Sequence, residues 1–176
     1  MATIDLIVLG MLKREPLSAY DIQKLVEYRN ISKWVKISTP SIYKKVIQLE
    51  EKGFITSRIE RDGKMPEKAV YTLTDAGKEE FERLMLEISC KPINIFLDFN
   101  AVIVNLESMP KESQRECLDS IESNMKVLKA YLEENFAMKE NAPDVPTMGM
   151  AVLRQQLLLA KAIVEWIAER KKGFEE

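Results

Sequence analysis

The stretch Thr39–Thr74, TPSIYKKVIQLEEKGFITSRIERDGKMPEKAVYTLT, decides how this chain folds. Its first third predicts a short amphipathic helix. Ser38 or Thr39 stands at the N-cap, and Pro40 follows at the first helical position, where a missing N–H costs nothing. Ile42, Val46, Ile47 and Leu49 are expected to form its buried face, leaving Ser41, Tyr43, Lys44 and Lys45 outward with Gln48 one turn on. Gly53 is the expected C-cap. Two strands are expected next, 54–60 and 69–73. Between them Asp62-Gly63 signals a turn, and Pro66 makes the loop longer than a two-residue hairpin. Thr74 caps a further helix, with Asp75 in its first turn.

Upstream, residues 3–14 predict a mostly apolar first helix that ends before Pro16, with Ile4, Ile7, Val8 and Met11 on one face and Leu6, Leu9 and Leu12 widening it. Ser18 and Asp21 make a loose capping box for a helix over 19–28, which turns Ile22, Leu25 and Val26 inward. Tyr20 is expected as a buried anchor. In the segment that follows, Trp34, Val35 and Ile37 are expected to pack, while Arg29, Lys33 and Lys36 lie where a DNA backbone would be met. After Thr74, the stripe Phe81, Leu84, Met85 and Ile88 predicts a fourth helix. Helix, helix and two-stranded hairpin in this order make a winged helix-turn-helix, whose second helix enters the major groove.

Charge patterning agrees with that reading. The formal net charge is -2, yet residues 24–68 hold eleven Lys or Arg against six Asp or Glu. From Lys91 onward fourteen acidic residues outnumber eleven basic ones. The absence of histidine excludes Ser-His-Asp triads, Cys-His nucleophile pairs and His-based metal sites. Asp98, Glu107, Glu165 and Glu169 are scattered along predicted helices, and no Gly-rich phosphate cradle is present, so neither an enzyme nor a cofactor or metal is expected. Two cysteines, no signal-peptide pattern and no membrane span point to the cytoplasm.

The segments SAYDIQKL, SIYKKVIQLEEKGFI and KAVYTLTDAGKEEF, with the spacing of Tyr20, Tyr43, Leu49, Gly53, Tyr71, Thr74 and Gly77, resemble the PadR family of bacterial transcriptional regulators over about residues 4–88. The remainder resembles the longer branch of that family, which carries a helical C-terminal dimerisation domain. A mainly α fold with a small β-hairpin is therefore expected, with a DNA-binding domain over 1–90 and a helical domain over 91–176. In the second half, 94–107 is strongly apolar and Pro110 starts a helix to about Phe136 with Leu118, Ile121, Met125, Leu128 and Leu132 at helical spacing. A last helix over 148–170 is apolar around more than one stripe, which calls for a second copy.

These readings make the chain a homodimeric repressor of a pseudo-palindromic operator in double-stranded DNA. Ser41, Tyr43, Lys44 and Gln48 are expected to read bases, while Lys36, Lys45, Arg61, Lys64 and Lys68 position the phosphate backbone. The resemblance also implies release by a small hydrophobic or aromatic effector, with Phe96, Phe99, Met148, Met150 and Trp166 bordering its pocket. The alternative is a winged-helix module that binds protein through the same helix and wing.

Overall fold

The computed structural model describes residues 2–35, 37, 41–61, 67–142 and 145–173. The expectations for Lys36, for the Ser38–Pro40 cap and for the turn from Asp62 to Pro66, Lys64 included, lie outside the described residues. The chain divides into two compact units, Met1–Ile93 and Asn94–Glu176.

The first unit is mainly α with a small sheet. Helix α1 (Ala2–Leu12) is apolar on most sides and buries Ile4, Val8, Leu9, Met11 and Leu12. Strand β1 (Leu17–Ser18) follows, and Ser18 then caps α2 (Ala19–Tyr28). The capping box is reciprocal: Ser18 Oγ accepts from the Asp21 N–H at 3.2 Å, and the Asp21 carboxylate accepts from the Ser18 N–H at 3.1 Å. The Ser18 hydroxyl also donates to that carboxylate at 2.6 Å, and these bonds, with Lys68 nearby, hold the Asp21 carboxyl below its usual range. Its contribution to stability is therefore present above the ordinary aspartate range and is lost as pH falls through the lowered value.

Tyr20 departs from expectation and is exposed. It stands off the inward stripe of Ile22, Leu25 and Val26, with the Lys24 ammonium 5.4 Å from its ring centroid. Trp34 likewise stays partly exposed, whereas Ile31 is buried and Val35 and Ile37 pack against the core.

Helix α3 (Ser41–Glu51) buries Ile42, Val46 and Leu49 together with Lys45. It ends as expected at Gly53, whose φ of 75° is the left-handed conformation that glycine adopts without penalty. The Gly53 N–H donates to the Glu50 carbonyl at 2.8 Å and the Phe54 N–H to the Leu49 carbonyl at 3.0 Å, the paired bonds of a Schellman motif. Strands β2 (Ile55–Glu60) and β3 (Lys68–Leu73) pair antiparallel from Ile55 opposite Leu73 to Glu60 opposite Lys68. Strand β1 lies on the other side of β3, Leu17 opposite Tyr71 and Ser18 opposite Val70, giving the order β1-β3-β2.

Helix α4 (Asp75–Ser89) starts at Thr74, whose Oγ1 accepts from the Gly77 N–H at 3.0 Å. It buries Leu84, keeps Phe81 against the core and leaves Met85 exposed, contrary to the expected stripe. Gly77 is required by close approach. A Cβ there would stand 1.9 Å from the Phe54 carbonyl oxygen, a backbone atom that cannot move aside cheaply.

One polar contact is built into the apolar core of this unit. Lys45 is 7 % exposed, and its ammonium lies 2.8 Å from a carboxylate oxygen of Asp5 on α1. A charge held this far from water is tolerable only beside its counter-charge.

The second unit is helical. Helix α5 (Asn100–Asn105) is short, and α6 (Lys111–Lys139) and α7 (Thr147–Lys172) are long. They form an antiparallel hairpin: Lys171 meets Asp119 and Glu122, while Lys161 meets Glu133. The two carboxylates raise the Lys171 pKa above the usual lysine range. Among the described residues, Leu118, Leu132, Ala160 and Ile167 are buried, whereas Val127, Leu128, Met138, Leu158 and Leu159 remain exposed.

Two sets of substitutions test this packing. Gly77→Ala is expected to cost about 1–3 kcal/mol through overpacking against Phe54. Gly149→Ala, whose Cβ would meet nothing nearer than Pro146 Cδ at 3.9 Å, is expected to gain up to about 1 kcal/mol of helix propensity. Urea unfolding followed by circular dichroism reads both. Lys45→Ala alone is expected to cost about 3–5 kcal/mol by stranding Asp5. The Asp5→Ala/Lys45→Ala pair should cost clearly less than the two single losses summed, and strict additivity in a double-mutant cycle would show that the two side chains are not coupled.

Candidate nucleic-acid interface

The outward face of α3 is set by what its inward face uses. At about 100° per residue, Ile42, Lys45, Val46 and Leu49 cluster toward the core, and Lys44 and Ile47 fall opposite them. The structure accordingly exchanges two expected assignments. Lys45, expected to touch phosphate, points inward to Asp5, so it is removed from the DNA-facing set. Ile47, expected in the core, is 53 % exposed. Sequence reasoning missed it by following apolarity over angular position, although five residues of helix turn Ile47 about 140° from Ile42.

The other expected base readers lie as follows. Tyr43 and Lys44 are exposed, while Ser41 and Gln48 are partly buried. Arg61 is exposed immediately after β2. Lys68 opens β3 with its ammonium 3.6 Å from the Asp21 carboxylate, so its charge is shared with the cap of α2. Lys33 is exposed in the 3-10 turn between α2 and α3.

The seat of α3 is firm on the side away from these residues. Glu50, on its last turn, accepts a hydrogen bond from the Ser57 N–H of β2 at 2.9 Å. Thr74 Oγ1 donates to the Gly53 carbonyl at 2.7 Å, and the Thr74 N–H donates to the Phe54 carbonyl at 3.1 Å. The helix and the hairpin are thereby fixed to each other through the Glu50 carboxylate, the Thr74 hydroxyl and one backbone bond. A firmly seated helix with outward Tyr43, Lys44 and Gln48, and Arg61 exposed at the far end of β2, can present donors, acceptors and positive charge to a duplex.

Of the residues expected to border an effector pocket, the second unit brings Phe99 and Trp166 together, with ring centroids 6.3 Å apart and planes inclined by 28°. Phe96 is 86 % exposed and Met148 73 % exposed, so neither is enclosed; Met150 is partly buried. Among the described residues, no group of His, Cys, Asp and Glu is arranged to hold a metal ion, and no helix is long and apolar enough to cross a membrane.

Comparison with known proteins places this architecture. Residues 8–83 match the sequence model of the transcriptional regulator PadR-like family. The negative transcriptional regulator PadR of Bacillus subtilis (strain 168) is 27% identical over 173 residues, which span 95% of this chain and 94% of that protein. The crystal structure of Bacillus subtilis PadR in complex with operator DNA superposes with a TM-score of 0.85 at 23% identity, covering 98% of this chain and 99% of that one. The same protein in complex with p-coumaric acid gives a TM-score of 0.83 at 21% identity, over 98% of this chain and 96% of that one. Residues 8–83 thus carry the sequence pattern of the transcriptional regulator PadR-like family, and along almost its whole length, the helical second unit included, the chain is similar to PadR of Bacillus subtilis.

Proposed function

We propose that this protein is a cytoplasmic homodimeric repressor that occupies a pseudo-palindromic operator and is released by a small aromatic effector. The observation that carries the proposal is the outward face of α3, where Tyr43 and Lys44 stand exposed opposite the face that Ile42, Lys45, Val46 and Leu49 bury. Two such helices, one from each copy, meet successive major-groove faces about one helical turn apart. Ser41, Tyr43, Lys44 and Gln48 read bases. Arg61, together with Lys36 and Lys64, positions the backbone, and Lys68 does so in competition with Asp21. The Bacillus subtilis relative is named a negative transcriptional regulator, which supports repression as the outcome.

The second copy is called for by the apolar surface of α6 and α7, where Val127, Met138, Leu158 and Leu159 lie exposed in one chain. Burying such side chains is worth about 1.5–3 kcal/mol each, which favours a second copy of the same face over solvent. The stacked Phe99 and Trp166 rings supply an aromatic wall of the kind a phenolic ligand packs against. The Bacillus subtilis protein has been crystallised with p-coumaric acid, which supports a ligand of this class.

Duplexes selected from random sequence by the purified protein give the probe for two measurements. Light scattering should return twice the 20.3 kDa chain mass, and Lys44→Ala should keep that mass while weakening binding to the selected duplex about tenfold. Unchanged affinity would remove α3 as the reading helix, and a monomer would remove the palindrome. In a Trp34→Phe background, the fluorescence of Trp166 should change saturably on titration with p-coumaric acid, and Phe99→Ala should weaken that response about threefold to tenfold. A flat titration would leave the repressor without this class of effector.

A further inference from the structure

We propose that Ile47 reads a base directly, its side chain packing against the 5-methyl group of a thymine in the major groove. The inference rests on the DNA-binding reading above and names one component of the recognised sequence.

The position of Ile47 is what points to this. The other large aliphatic residues of α3, Ile42, Val46 and Leu49, are at most 1% exposed, whereas Ile47 is 53 % exposed at the centre of the opposite face. A β-branched side chain at a solvent-facing helical position brings neither burial nor helix propensity. Its surroundings are polar: Lys44 lies one turn before it, Glu51 one turn after, and Tyr43 and Gln48 flank it. Within α3 the apolar surface at this point is one aliphatic side chain beside the Tyr43 ring, bounded by a cation, a carboxylate and an amide. Protein interfaces of standard size bury a far larger area, roughly 800 Å² per partner, so the spot is poorly suited to a protein partner.

A single methyl group fits it. The major-groove edge of a base pair offers donors and acceptors everywhere except at the thymine methyl, the one apolar feature of the code. The N-terminal part of this outward face, with a positive charge, two hydrogen-bonding side chains and one exposed aliphatic group ahead of the Glu51 carboxylate at the far end, is complementary to a duplex segment containing thymine. Lys44 beside Ile47 supplies attraction to the phosphates or to a guanine edge, and Ile47 gains only where a methyl group excludes water.

The test replaces thymines by deoxyuridines, one at a time, in a duplex selected by the full-length protein; each replacement removes a methyl group and no hydrogen bond. At one position in each half-site, affinity should fall about fourfold, the equivalent of one buried carbon. At that position Ile47→Ala should bind the thymine and deoxyuridine duplexes equally well, while the response of wild-type protein to other base changes is retained. Wild-type indifference to every replacement, or a methyl preference that persists in Ile47→Ala, overturns the assignment of Ile47 and leaves DNA binding standing. Failure to select any duplex overturns the DNA-binding reading, and the assignment with it.

Discussion

One threonine joins the parts of the first unit that must act together. Thr74 gives its hydroxyl proton to the Gly53 carbonyl, receives the Gly77 N–H, and sends its own N–H to the Phe54 carbonyl. The end of α3, the end of β3 and the start of α4 are therefore bonded at one side chain. The groups involved are backbone donors and acceptors that a helix end and a chain reversal would otherwise leave without partners. The close seating of Gly77 against Phe54 closes the same junction sterically. Because these bonds are short and local, the angle between α3 and the hairpin belongs to the fold itself and needs no contact with DNA to establish it.

Much of this arrangement was legible in the sequence because its signals are local. Ser18 with Asp21, Gly53 after an amphipathic run, and Thr74 before Asp75 each act within a few residues, and the structure uses them as read. What failed was non-local or angular. Strand β1 is two residues long and exists because Val70 and Tyr71 offer it a partner more than fifty residues away. The inward turn of Lys45 depends on Asp5, forty residues upstream. Ile47 was placed inside because it is apolar, although its angular position turns it out, whereas Met85 lies within about 40° of Phe81 on the expected stripe and is still half exposed. Of the aromatic cluster, the Phe99–Trp166 contact was anticipated in composition only, and Phe96 lies open.

The second unit uses its polar residues sparingly inside and its charged ones at the seam. Gln114 and Asn135 are buried, and each donates a side-chain amide proton to a nearby carbonyl, of Met109 and Tyr131 respectively. Such local satisfaction removes the cost of burial without linking the helices. The interhelical register comes instead from Lys171 between Asp119 and Glu122. That division leaves much of the apolar surface of α6 and α7 uncommitted within one chain.

The pairing of Lys45 with Asp5 and of Lys68 with Asp21 bears on the charge that the first unit shows to solvent. Both acids precede the basic stretch 24–68, so a charge count over that stretch overstates the positive field reaching solvent. Sequence-independent attachment scales with the number of phosphates neutralised. Burying Lys45 beside Asp5 and sharing the exposed Lys68 with Asp21 both reduce the positive charge that this unit offers to phosphates. On the function proposed above, the occupancy of a site would then be governed more by its shape and chemistry than by the ionic strength around it.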